Sequence, residues 1–181
     1  VIALQGIRDK GQLQPGQRVL INGAGGGAGA FALQLARQAG AEVTGVDNAG
    51  KFDFMRALGA DHVIDYTRED YTAGGERYDF ILDLVAYRSA FAYARALRPG
   101  GSFYVVGGSA ATLLQVAILG PSIRRATGKR IGVLMVRPNR EDLIAAADLV
   151  QTGRLNPMID RHYPLSQVPE ALRYLGDGRA R

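Results

Sequence analysis

The run Val19-Leu20-Ile21-Asn22 leads directly into Gly23-Ala24-Gly25-Gly26-Gly27-Ala28-Gly29, and then into an Ala-rich segment carrying Phe31, Leu33 and Leu35. The apolar start suits a buried strand, and the Ala-rich end has high helix propensity. Between them lie residues with no side chain or a single methyl. Such a turn lets backbone N–H groups approach an anion closely, and the positive end of the following helix favours negative charge. A pyrophosphate is the group it suits. Two registers of a dinucleotide fingerprint fit, Gly23-x-Gly25-x-x-Ala28 and Ala24-x-Gly26-x-x-Gly29. The spacing alone does not choose between them.

The rest of the chain repeats the strand-then-helix theme. Residues 42–46 predict a second strand, ending at Asp47, where an acid can accept hydrogen bonds from ribose hydroxyls. A helix is expected over about 51–58 with Gly59 as its stop, then a third strand over His62–Asp65. Residues 66–75 are polar and Gly-rich and predict a loop or irregular helix. A fourth strand is expected over 80–85, a helix over 89–97 closed by Pro99-Gly100-Gly101, and a fifth strand over 103–106 ending in Gly107-Gly108. A helical region over 112–127 is expected to break at Gly120-Pro121. A sixth strand follows over 131–136, then a helix capped by Asn139, a short strand near 159–163 and a last helix over about 165–175. Short, non-alternating, Val/Ile-rich strands separated by helices imply parallel strands covered on both faces.

Composition narrows the chemistry. With no Cys among 181 residues, a disulfide scaffold, a thiolate metal site and a Cys nucleophile are excluded for this chain. Its length suits one domain, and 47% hydrophobic residues exclude a disordered tail. No apolar stretch approaches the roughly 20 residues a membrane span needs. The charged start, Val1–Gly11, lacks an apolar leader core, so a cytoplasmic protein is expected. An opening Val1 instead of Met suggests a piece of something longer. The net charge of +5 is spread thinly apart from Arg124-Arg125 and Lys129-Arg130, without interleaved aromatics, so no nucleic-acid partner is expected.

Two other readings of the glycine-rich segments compete. An S-adenosylmethionine-dependent methyltransferase has a similar layout, but an acid is usual two positions before the first Gly, and Ile21 stands there. Gly45-x-x-x-x-Gly50-Lys51 has phosphate-loop spacing, but Phe52 occupies the position where Mg²⁺ binding needs Ser or Thr, and this reading is rejected.

Leu13-Gln14-Pro15-Gly16-Gln17-Arg18-Val19-Leu20-Ile21-Asn22-Gly23-Ala24, with Gly26-Gly27-Ala28-Gly29, resembles the cofactor domain of medium-chain dehydrogenases/reductases, in the quinone oxidoreductase-like or zinc-type alcohol dehydrogenase-like branch. Leu58-Gly59-Ala60-Asp61-His62-Val63-Ile64-Asp65-Tyr66, Tyr78-Asp79-x-Ile81-Leu82-Asp83 and Val106-Gly107-Gly108 extend the likeness. So do Pro138–Leu143 and Tyr163–Ala171. The resemblance implies an α/β fold: a Rossmann-type doubly wound parallel sheet of about six strands, helices on both faces, over residues 1–181 as one domain. It also implies an NAD(P)H-dependent oxidoreductase acting on a quinone, enone, aldehyde or alcohol. By the same comparison the loop register is Ala24-x-Gly26-x-x-Gly29, with Gly26, Gly27, Ala28 and Gly29 around the pyrophosphate. Val85, Val106, Gly107 and Gly108 would line the nicotinamide side. The family often has Val at Ala28 and Gly at Ala86, and Asn shortly after, where this chain has Tyr87-Arg88. Its N-terminal catalytic domain and its closing strand are absent from this sequence. A chain like this one therefore either serves as half of an oxidoreductase or binds dinucleotide without turnover by itself.

The charge at the end of the second strand slightly favours NAD over NADP. Asp47 suits ribose hydroxyls and repels a 2′-phosphate. Lys51 lies where similar NADPH-using quinone reductases place a phosphate-binding Lys, and Tyr66 is expected to flank the adenosine. His62 and His162 read as surface or packing residues and Asp83 as a loop-anchoring carboxylate, so no catalytic residue and no metal ligand is assigned. In such an architecture the cofactor carries the hydride and protein groups orient it. The apolar sixth strand, expected at the sheet edge, would pair across a two-fold in a homodimer, as the resemblance implies.

Overall fold

A computed structural model of the protein describes residues 1–178 and Ala180. It begins with a short helix α1 (Ile2–Leu4) that runs into a π-helical stretch, Gln5–Gly11. The order then alternates: β1 (Arg18–Asn22), α2 (Gly27–Gln38), β2 (Glu42–Asp47), α3 (Phe52–Ala57) and β3 (His62–Asp65). It continues with β4 (Tyr78–Asp83), α4 (Ala90–Ala96), β5 (Leu97–Val105), α5 (Ala110–Thr127) and β6 (Arg130–Val133). Helices α6 (Arg140–Gln151) and α7 (Val168–Gly176) complete it.

The six strands form one sheet in the order β3-β2-β1-β4-β5-β6, with every neighbouring pair parallel. The chain therefore winds outward from β1 in one direction and returns from β4 in the other. The non-alternating strands are explained by burial on both faces. Val19 and Ile21 of β1 pack with Leu33, Met55, Phe80 and Leu82 on one side. Leu20 packs with Ile81, Tyr93 and Phe103 on the other, where Tyr93 and Phe103 stack 4.0 Å apart. Each such fully buried side chain stabilises the fold by roughly 1.5–3 kcal/mol.

Several helix boundaries follow local chemistry. Gly40 and Gly128 take positive φ just beyond α2 and α5, where a Cβ would be disfavoured. Ser89, Ser109 and Asn139 cap α4, α5 and α6 through side-chain oxygens that accept N–H bonds from Ala92, Thr112 and Asp142.

Elsewhere tertiary contacts override local signals. Helix α5 runs unbroken through Gly120-Pro121, against the expected break. Val116 and Ile123 are buried in the core, and Gly120 lies so close to the Ile131 carbonyl that a Cβ there would overlap it. Packing on β6 thus accompanies a helix that continues through its proline. Strand β5 starts at Leu97 and absorbs Pro99-Gly100-Gly101 in a register shift between Tyr78↔Leu97 and Phe80↔Ser102. Strand β4 ends at Asp83 and β6 at Val133, each short of the expected end.

No strand forms at 159–163. Asn156, just before it, is tied to α2: its N–H donates to Gln34 Oε1 at 2.7 Å, and Gln34 Nε2 donates to its carbonyl at 3.1 Å. Further on, the Tyr174 hydroxyl donates to Asp160 at 2.6 Å. The segment is thus tied to α2 at one end and to α7 at the other. Among the described residues, no helix is long and apolar enough to cross a membrane.

Candidate cofactor site

The reversal of winding opens a cleft of about 450 Å³ where β1 and β4 end side by side. Open α/β sheets bind ligands at such switch points. The floor is the glycine turn. Gly23 adopts φ of +82°, turning the chain at the end of β1. Gly29 is where α2 meets that turn, since a Cβ there would overlap the Gly23 carbonyl and sit 2.6 Å from Ala24 Cα. Gly26 opens α2 in an extended conformation, and no side chain caps this helix. The first-turn N–H groups at Gly27 and Ala28 have no intrahelical acceptor. They border the cleft, with nothing within 4 Å of a Cβ added at Gly27.

At one end of the cleft stand Asp47 and Lys51, both largely buried. Asp47 Oδ2 accepts the Gly25 N–H at 3.0 Å, and Oδ1 accepts the Asn48 N–H at 2.9 Å and its Nδ2 at 3.1 Å. The Lys51 ammonium is 3.6 Å from Oδ1. Tyr66, about half exposed, completes this end.

The other end is walled by Leu84, Val85 and Tyr87 beyond β4. Val85 and Tyr87 are each about half exposed, giving an apolar face. Beneath it, Asp83 is fully buried and accepts from Asn22 Nδ2, the Val85 N–H and the Tyr71 hydroxyl. Burial pushes the Asp83 carboxyl above its ordinary value, against these hydrogen bonds, which stabilise the charged form.

Eight of the residues expected at the site meet at this one cleft: Gly26, Gly27, Ala28, Gly29, Asp47, Lys51, Tyr66 and Val85. Ala24 does not line it. It is fully buried beneath the turn, with its Cβ against the position a Gly45 Cβ would take. Val106, Gly107 and Gly108 are not among its lining residues either. The Ala86 N–H donates to the Gly107 carbonyl at 2.9 Å, and Gly108 approaches the Ala86 carbonyl so closely that a Cβ would overlap it. These residues brace the wall. Tyr87 and Asn48 line the cleft without a sequence signal of their own; each simply follows a strand end that carried one.

Residues of this chain do not fit a zinc centre. It has no Cys, His62 pairs with Glu42 at 3.0 Å on the sheet, and no cluster of His, Asp or Glu suited to a metal occurs among the described residues.

Residues 58–181 match the family model for zinc-binding dehydrogenases. The chain is 33% identical over 184 residues to the mouse NAD(P)H oxidoreductase RTN4IP1, mitochondrial, covering 92% of this chain and 46% of that protein. It is 32% identical to the spectinabilin polyketide synthase system protein NorB of Streptomyces orinoci, covering 98% of this chain but 8% of that protein. The quinone oxidoreductase of Coxiella burnetii superposes with a TM-score of 0.81 at 27% identity, covering 99% of this chain and 55% of that one. The chain thus spans about half the length of its shorter relatives and a small part of the polyketide synthases. It belongs to the zinc-binding dehydrogenase family, as a cofactor-binding domain of the medium-chain dehydrogenase/reductase type.

Proposed function

We propose that this chain is the NAD(P)H-binding part of an oxidoreductase that moves hydride between nicotinamide and a quinone, enone, aldehyde or alcohol. The observation that carries this reading is the cleft at the β1–β4 reversal, with an uncapped helix at its floor and an Asp–Lys pair at one end. A bound dinucleotide supplies the hydride-carrying ring. The chain's own groups bind and orient it. N–H groups of Gly27 and Ala28 face the pyrophosphate, Asp47 and Lys51 meet the adenosine ribose, and Val85 and Tyr87 offer an apolar wall to the ring. Val106, Gly107 and Gly108 hold that wall in place.

NAD is the preferred cofactor in this reading. A 2′-phosphate would approach the buried Asp47 carboxylate, and Lys51 could meet it only beside that charge. The substrate-binding part lies in a domain outside residues 1–181, in keeping with relatives about twice as long. A groove of about 730 Å³ lined by Leu4, Ala28, Phe31, Leu35, Ala147 and Val150 offers it an apolar seat beside the glycine turn. A second copy of the chain pairs through the free edge of β6. Family membership leaves no support for a methyltransferase.

Titration of the chain with NADH, NADPH and S-adenosylmethionine by calorimetry, followed by a quinone-dependent NAD(P)H oxidation assay, tests the reading. Dinucleotide binding is expected. Binding without turnover would identify a module that needs its substrate domain, whereas preference for S-adenosylmethionine would overturn the assignment.

A further inference from the structure

One carboxylate joins three chain segments under the β4 end of the cleft. Asp83, the last residue of β4, is fully buried. Its Oδ1 accepts from Asn22 Nδ2 at 2.8 Å and from the Val85 N–H at 3.0 Å, and its Oδ2 accepts from the Tyr71 hydroxyl at 2.8 Å. Asn22 is the last residue of β1, next to the glycine turn. Val85 is the exposed wall. Tyr71 comes from the loop between β3 and β4, which meets the same wall again where Asp70 pairs with Arg88 at 3.2 Å. A shift of Asp83 would be passed on, because the Val106 N–H donates to its carbonyl at 2.9 Å and Ala86 is joined to Gly107.

We propose that Asp83 and Tyr71 are positioning residues that set the β4 wall of the cleft and thereby recognition of the nicotinamide half of the dinucleotide. This rests on the cofactor reading above. The adenosine end is built differently, from Asp47, Asn48 and Lys51 at the end of β2, with no hydrogen bond to Asp83 or Tyr71. The two halves of the ligand are therefore held by separable sets of contacts. Burial pushes the Tyr71 phenol well above its ordinary range, so it stays protonated and donating. Removing that hydroxyl takes one donor from a fully buried carboxylate, to which the Tyr93 hydroxyl also hydrogen-bonds, and a lost bond to a buried charge costs more than an ordinary hydrogen bond.

The test compares NADH with ADP-ribose, which lacks the nicotinamide ring, on the wild-type chain and on Tyr71→Phe and Asp83→Asn. If NADPH binds more tightly than NADH, it is paired with 2′-phospho-ADP-ribose instead. Tyr71→Phe is expected to weaken dinucleotide binding by roughly ten-fold, while ADP-ribose affinity holds within about two-fold. Asp83→Asn should show the same split more strongly; if it fails to fold, Tyr71→Phe alone decides the matter. Equal losses for both ligands would mean general loosening of the domain and would overturn the proposal, as would no loss for either. A wild-type chain that binds neither NADH nor NADPH removes the cofactor reading itself. Wild-type binding with no change in the variants removes only the role of Asp83 and Tyr71.

Discussion

The Lys51 ammonium lies 3.6 Å from the Asp47 carboxylate, and the two side chains close over Gly25, where a Cβ would overlap Lys51 and sit 2.9 Å from Asp47 Oδ2. The pair places an acid and a base side by side at one end of the cleft. It also fastens the glycine turn, because Asp47 accepts the Gly25 N–H. In the proposed cofactor reading, recognition of the ribose and loop geometry therefore share one residue.

Replacing Asp47 with Ser should release Lys51 from its ion pair and remove the charge that opposes a 2′-phosphate. NADPH affinity is expected to rise and NADH affinity to fall, each by roughly ten-fold, as titration calorimetry would read. Equal weakening of both would show that Asp47 acts only through the turn.

The glycine turn should respond to added methyl groups in a position-dependent way. Gly29→Ala forces a Cβ into the Gly23 carbonyl, prising α2 from β1. A loss of about 1–3 kcal/mol in stability is expected, together with weaker dinucleotide binding. Gly27→Ala meets no atom within 4 Å and lies inside α2, so stability should hold or rise by up to ~1 kcal/mol. Urea unfolding of both variants distinguishes close packing from mere helix propensity.

Acid should loosen the N-terminal segment first. Asp142 accepts from Gln5 Nε2 at 2.6 Å, from Arg8 at 2.6 Å and from Asn139 Nδ2 at 2.7 Å. These bonds hold its carboxyl down at about 2, from an ordinary 3.8. A depressed folded-state value stabilises the fold above the unfolded value, and the contribution disappears as pH falls from about 4 towards about 2. Hydrogen exchange at residues 2–11 should rise across that window in the wild type. In Asp142→Asn the exchange should already be raised at neutral pH and should change little with acid.

Strand β6 is one of the two edges of the sheet, and its Ile131 is buried against α5 while Arg130 is exposed. Edge-to-edge pairing through β6 predicts twice the monomer mass in sedimentation equilibrium at micromolar concentration. Val133→Pro removes an N–H on the open side of this strand, since the neighbouring Leu134 N–H faces β5, and should shift the species to monomer if the edge carries the contact. A monomer throughout the concentration range would count against the pairing.

Much of this arrangement was legible because it is encoded locally. Val19, Leu20 and Ile21 are apolar in succession because both faces of β1 are covered, and the adjacent glycines reveal where a helix starts close to a strand. Asp47 was legible as the acid at the end of the second strand, and Lys51 through the resemblance to NADPH-using quinone reductases. Other features lacked any local trace. The helical start at residues 2–11 depends on Gln5 and Arg8 reaching Asp142, more than 130 positions away. Helix α5 passes through Pro121 while packed on β6. Residues 159–163 have strand-like composition, yet join no strand, and Asp160 is tied instead to Tyr174 of α7. Tyr71, in a polar and glycine-rich loop, becomes a buried donor only once β4 brings Asp83 beneath it.

Residue pattern alone determined the α/β class, the parallel sheet and the position of the glycine turn between a strand and a helix, because periodicity and small side chains act over a few neighbours. Tertiary structure decided which of the small residues line the cleft, that Asp47 binds the turn as well as Lys51, and that Val106, Gly107 and Gly108 are joined to Asp83 and Ala86 beside the wall. Those outcomes depend on which chain segments the sheet order places side by side. Contacts between residues distant in sequence form only when the whole fold closes around them.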